Sequence, residues 1–96
     1  MLELEYSDIA NNDLENIMAN ITEFVGLQSA INVLGDIQKS MELLQMTPEM
    51  GVVGAILGTR EIYPRGYRVV YRITAKKILI VTIVHCRQLY PPIQGS

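Results

Sequence analysis

The stretch "YRVVYRITAKKILIVTIVHCRQLYP", residues 67–91, decides how the rest of the chain must be arranged. Residues 67–73 and 78–85 are runs rich in β-branched and aromatic side chains, which favour strands. Thr74-Ala75-Lys76-Lys77 between them is short enough to close an antiparallel hairpin. Alternate side chains of a strand face opposite ways. Arg68, Val70 and Arg72 therefore share one face, and Tyr67, Val69, Tyr71 and Ile73 share the other. The second run, ILIVTIV, is apolar on both faces and belongs inside a sheet. Such a sheet needs a cover on its tyrosine-aliphatic side, and the arginines must look away from that cover.

The upstream half supplies the cover. Ala10, Leu14, Ile17, Ile21 and Phe24 recur at spacings of three and four, one buried stripe of a helix. Ser7 can cap that helix and Asp8 suits the positive end of its dipole. Gly26 interrupts the pattern, and a second stripe follows at Ala30, Leu34, Ile37, Met41 and Leu44, ending before Pro48. Two helices joined by so short a break form an antiparallel hairpin. Before them, LELEY alternates over residues 2–6 and reads as a strand able to flank ILIVTIV. After them, residues 47–58, TPEMGVVGAILG, read as a loop with an apolar tail. Residues 59–63 form a further strand, turning through Pro64-Arg65-Gly66 into 67–73. The expected fold class is α+β: one domain over residues 1–96, in the order β-α-α-β-β-β. The helical hairpin packs on one face of a four-stranded, mostly antiparallel sheet.

Charge divides the chain. Residues 1–50 hold nine acids and the single base Lys39, a balance of −8. Residues 51–96 hold seven bases and the single acid Glu61, a balance of +6. The asymmetry points to an anionic partner for the second half, or to attraction between the halves within the fold. Arg60, Arg65, Arg68, Arg72 and Arg87 are the candidate binding cations, with Arg68 and Arg72 foremost because forked guanidinium donors grip carboxylates and phosphates. Arg60 and Glu61 are neighbours on a strand, point to opposite faces and so do not pair, which leaves Arg60 free to tie the preceding loop to the sheet.

Other chemistries are absent from the composition. One cysteine, Cys86, and one histidine, His85, cannot make a zinc site, so no metal and no cofactor is expected. The lone cysteine cannot close an internal disulfide and suits a reducing compartment, the cytoplasm. No apolar run is long enough for a membrane helix, and the N-terminus lacks a secretory pattern.

The element order, "LLQMTPEMG" closing the second helix, "GTREIYPRGYRVVYRI" and a final strand ending "VHCRQLYP" together resemble the RelE/ParE superfamily of type II toxins. The resemblance covers nearly the whole chain and implies a toxin held inactive by a cognate antitoxin, as a homodimer or a hetero-oligomer with it. ParE-like members poison DNA gyrase and are not nucleases. RelE-like members cleave messenger RNA on the ribosome. Cleavage by a 2′-hydroxyl needs a base, cations for the phosphorane and an acid for the leaving oxygen. On the RelE-like reading Arg68 and Arg87 hold the phosphate, and His85 or Tyr90 moves protons. The residues lean the other way. "TREIY" offers Thr59, Arg60 and Glu61 where RelE-like nucleases present lysines, the tail carries Pro91 and Pro92, and the sequence pI is 5.2. A ParE-like gyrase inhibitor is the favoured expectation and a ribosome-dependent mRNA interferase the alternative. A member that has lost toxicity and only binds its antitoxin is the second alternative. The antitoxin segment is expected to be acidic or amphipathic, and to lie on the arginine face or along a strand edge.

Overall fold

A computed structural model describes residues 1–92. The last four residues of the expected 1–96 domain lie outside that description. Strand β1 (Glu3–Tyr6) leads into helices α1 (Asp8–Phe24) and α2 (Leu27–Leu43). Four strands follow: β2 (Val52–Val53), β3 (Arg60–Ile62), β4 (Tyr67–Ile73) and β5 (Lys77–His85). They form one five-stranded sheet in the order β1-β5-β4-β3-β2. β1 runs parallel to β5, and every other neighbouring pair is antiparallel.

Local chemistry sets the boundaries. The Ser7 hydroxyl accepts the Ala10 amide at 3.0 Å, capping α1, and donates to the Val81 carbonyl at 2.7 Å, so one side chain starts the helix and pins it to β5. Gly26 turns the chain between the helices at φ 137°, a conformation that side chains other than glycine rarely adopt. The helix hairpin and the inner sheet face meet in one cluster that includes Ile17, Ile37, Met41, Val69, Tyr71, Ile78 and Ile80. Each such side chain stabilises the fold by roughly 1.5–3 kcal/mol when fully buried.

Three expectations needed correction. The sheet has five strands rather than four, because Val52 and Val53, inside the expected loop 47–58, pair with Glu61 and Arg60. Two residues give no alternation to read. Gly51, just before them, packs so closely that an added Cβ would lie 2.6 Å from the Tyr71 hydroxyl. Phe24, assigned to the buried stripe, is 78% exposed. It sits in the last turn of α1, and at this tip Val25 and Leu27 are exposed too, so nothing among the described residues covers it. Finally, Val70 shares the arginine face yet is fully buried and lies outside the helix-side cluster. The face away from the helices is thus not simply open.

Candidate functional site

The face opposite the helices is organised around Arg68. Cross-strand partners share a face, so Glu61, paired with Val70, projects on the same side as Arg68 and Arg72. The Glu61 side chain is 4% exposed and that of Arg68 is 21% exposed, and Arg68 Nε lies 3.6 Å from Glu61 Oε1. Glu61 also accepts two hydrogen bonds, from the Tyr63 hydroxyl at 2.6 Å and the Ala55 amide at 2.9 Å. The buried carboxylate thus lies against a half-buried guanidinium and two hydrogen-bond donors. Arg68 is also held between two rings, with its guanidinium carbon 5.7 Å from the Tyr63 centroid and 5.2 Å from that of Tyr90. One guanidinium nitrogen reaches the Tyr90 carbonyl at 3.4 Å, while Nε is buried without a hydrogen-bond partner among the described residues. The segment after β5 therefore folds back across the arginine face, anchored as well by the Cys86 amide on the Gly66 carbonyl at 2.8 Å.

These contacts shift the phenols. The hydrogen bond to Glu61 raises the Tyr63 pKa above its ordinary value of 10.0, because ionisation would set a phenolate against a carboxylate. Burial raises that of Tyr90, with Glu61 adding to the effect and Arg68 and Arg72 opposing it.

The other expected cations occupy different surroundings. Arg65 pairs with Asp36 of α2 at 2.6 Å, in the turn where it takes φ 55° ahead of Gly66 at φ 80°. Arg60 projects with Tyr71 on the helix side and donates to the Gly51 carbonyl at 2.6 Å, tying the 47–58 segment to the sheet. Arg72 is exposed and reaches the Leu57 carbonyl at 3.4 Å. The Arg87 side chain is exposed and meets no described residue in a hydrogen bond or ion pair. Two of the three ion pairs among the described residues, Arg65–Asp36 and Lys77–Glu5, join the basic half to the acidic half.

His85 belongs to the opposite face. It pairs with Tyr67 across β4 and β5, and the two rings stand edge to face at 5.2 Å. Its Nδ1 accepts the Arg87 amide at 3.0 Å, while its own amide donates to Gln88 Oε1 at 3.0 Å, so the imidazole shapes the turn that ends β5. The four residues of the nuclease reading are thereby divided. Arg68 and Tyr90 meet on one face of the sheet, and His85 lies on the helix side with Tyr67. Among the described residues no group of three or more His, Cys, Asp or Glu side chains could hold a metal, and no helix is long and apolar enough to cross a membrane.

Sequence reasoning missed two organising carboxylates. Glu61 carried a signal, being the single acid among seven bases in its half. Tyr63, two residues on and on the same face, was its companion. Asp13 carried none: it accepts the Thr82 hydroxyl at 2.6 Å and the Ile83 amide at 2.9 Å, next to an irregularity in the β4–β5 register that no alternation pattern announces.

A family model described as the ParE toxin of the type II toxin-antitoxin system parDE matches residues 4–90. A search of curated proteins by sequence gave no match. Among solved structures, the chain is similar to one of the chromosomal ParDE system from P. aeruginosa. That match has a TM-score of 0.80 and 22% identity, covering 88% of this chain and 96% of that one. It is also similar to a chain of the intact E. coli RelBE toxin-antitoxin complex, at a TM-score of 0.62 and 14% identity over 92% of this chain and 100% of that one. A chain of the E. coli DinJ-YafQ complex matches at a TM-score of 0.65 and 13% identity, over 94% and 99% of the two chains. At these identities the structural likenesses establish a shared fold.

Proposed function

The chain belongs to the ParE toxin family, and from that premise we propose that it inhibits DNA gyrase and is neutralised by a cognate antitoxin. The observation that carries this reading is the Glu61 carboxylate beside Arg68. A phosphate drawn to Arg68 would meet a buried anion already in place, and like charges at such range in a poorly solvated site repel strongly. Glu61 stands on the strand where a nuclease of the sister branch presents cations, so the arginine that would stabilise a phosphorane is committed to its own chain. His85, as a proton carrier, lies across the sheet from it.

The ribonuclease alternative draws on the closeness of Arg68 and Tyr90, with Arg87 exposed nearby in the chain. That pair serves equally to fasten the C-terminal segment to the sheet. For the antitoxin, two places suit the expected acidic or amphipathic segment. One is the arginine face at the exposed Arg72, and the other is the β2 edge, where Val52 and Val53 are largely exposed. The setting proposed is the cytoplasm, where gyrase works and where a lone thiol stays reduced.

Purified protein, free of antitoxin, is expected to inhibit supercoiling by gyrase or to accumulate gyrase-cleaved DNA. The same preparation should leave translated messenger RNA uncut on ribosomes. Unaffected gyrase together with ribosome-dependent cuts would overturn the proposal in favour of an interferase. Growth without arrest on expression, with neither effect in vitro, would favour a binding module.

A further inference from the structure

A cleft of about 460 Å³ opens between α1 and the end of the β4–β5 hairpin, on the side of the sheet away from Arg68. Its polar walls are Asp13, Asn16 and Asn20 from α1, Tyr67 from β4, and His85 and Gln88 from the end of β5 and the turn after it. Among the described residues no lysine or arginine lines it. Asp13 spends one oxygen, Oδ2, on Thr82 and Ile83 and retains the other. Asn16 and Asn20 are exposed on the helix and bring carbonyl oxygens that can accept hydrogen bonds. The α1 wall offers acceptors, one carboxylate oxygen and two carboxamide oxygens, with the Tyr67 ring beside it, whereas His85 and Gln88, whose Nδ1 and Oε1 already accept backbone amides, keep donor nitrogens on the opposite wall.

The charge around the cleft points the same way. Helix α1 carries Asp8, Asp13, Glu15 and Glu23 and no base. None of the ion pairs among the described residues involves one of these four acids. The acidic half is thus partly compensated at Asp36 and Glu5, and left uncompensated along α1. Asp13, Asn16 and Asn20 continue at helical spacing to Ile9 on one side and Phe24 on the other, which are 61% and 78% exposed. A cleft wall bearing acceptors between two exposed apolar side chains fits a polypeptide in which a basic residue is flanked by apolar ones.

We propose that this cleft is a docking site for an arginine side chain presented by a polypeptide partner. The planar guanidinium supplies several donors in a fixed fork, matching a carboxylate oxygen and neighbouring carboxamide oxygens better than a single ammonium does. The Tyr67 ring offers an aromatic surface to the same cation. The site is separate from the arginine face and does not depend on which macromolecule the toxin poisons.

The test uses the full chain labelled with nitrogen-15, titrated with N-acetyl-arginine amide and followed by amide shifts. N-acetyl-citrulline amide, the neutral isostere, and N-acetyl-glutamate amide serve as comparison probes. Saturable shifts at the Asn16, Asn20 and Gln88 side-chain amides are expected with the arginine probe, and about five-fold weaker binding with the citrulline probe. Asn20→Lys and, independently, Asn16→Lys place a resident cation in the cleft at exposed helical positions. Each is expected to weaken the arginine probe about five-fold while leaving the remaining spectrum in place. Equal binding of the citrulline or glutamate probe, shifts outside the cleft only, or unchanged binding in both lysine variants would overturn the proposal.

Discussion

The two faces of the sheet solve the same problem by different means. On the helix side, Val69, Tyr71, Ile78 and Ile80 are buried under Ile17, Ile37 and Met41, and hydrocarbon packing does the work. On the other side no helix is available, yet Val70 and Glu61 are as well hidden. There Glu61 lies beside an arginine that is held between two tyrosines. The first face is stabilised mainly by buried area, with Ser7 and Asp13 fixing α1 to β5 at its margin. The second depends on mutual satisfaction, and removal of one member leaves another buried and unpaired. A charged sheet face is therefore not by itself a vacant docking surface. Of the five arginines proposed for binding, Arg72 and Arg87 are the two that remain exposed without a carboxylate partner among the described residues.

Ile37 is fully buried in α2, and Ile37→Ala is expected to cost about 4 kcal/mol in urea unfolding, combining lost transfer energy with a cavity. A loss below about 1 kcal/mol would mean that the helices close over the gap, and that the inner face is less tightly packed than its contacts imply.

A smaller effect sharpens the polar side. Tyr63→Phe removes the 2.6 Å hydrogen bond to Glu61 while keeping the ring against Arg68, and is expected to cost about 1 kcal/mol near neutral pH. The same contact has an alkaline signature. The pKa values of Tyr6, Tyr63, Tyr71 and Tyr90 are all raised from 10.0 in the folded chain, the first, third and fourth mainly by burial and Tyr63 mainly by Glu61. The unfolded chain then loses its phenolic protons first, so above pH 10 it binds fewer protons than the native state and stability falls as pH rises. The contribution is fully present below the unfolded value and is lost as pH passes through the folded ones. Wild type is expected to lose stability from about pH 10 upward, and Tyr63→Phe to show a shallower decline. Identical alkaline slopes for the two proteins would remove Tyr63 from the cluster.

The helix side of this fold was the legible part. Stripes at spacings of three and four placed Ala10, Ile17, Ile37 and Met41 correctly because a single face of each helix meets the sheet. Alternation likewise placed Tyr67, Val69 and Tyr71 toward the helices, and apolarity on both sides placed β5 in the interior. Phe24 failed because periodicity cannot tell where the partner surface ends. Strand β2 failed because a two-residue pairing has no period, and its exposed valines at the sheet edge carry no buried face to read. The candidate site was legible as a set of cations on named faces, but not as a network. The Glu61–Arg68 approach depends on the relative register of two strands, which a sequence pattern does not carry.

The central claim, that the Arg68 charge is committed to Glu61 within the fold, is tested most directly by a double-mutant cycle. Glu61→Gln, Arg68→Met and the double variant are compared with wild type by equilibrium urea unfolding. Each single change is expected to be more destabilising than the pair together would imply, with a coupling of about 1.5 kcal/mol. Costs that simply add, within about 0.3 kcal/mol, would show an Arg68 indifferent to Glu61 and available to an external anion, and would contradict the claim.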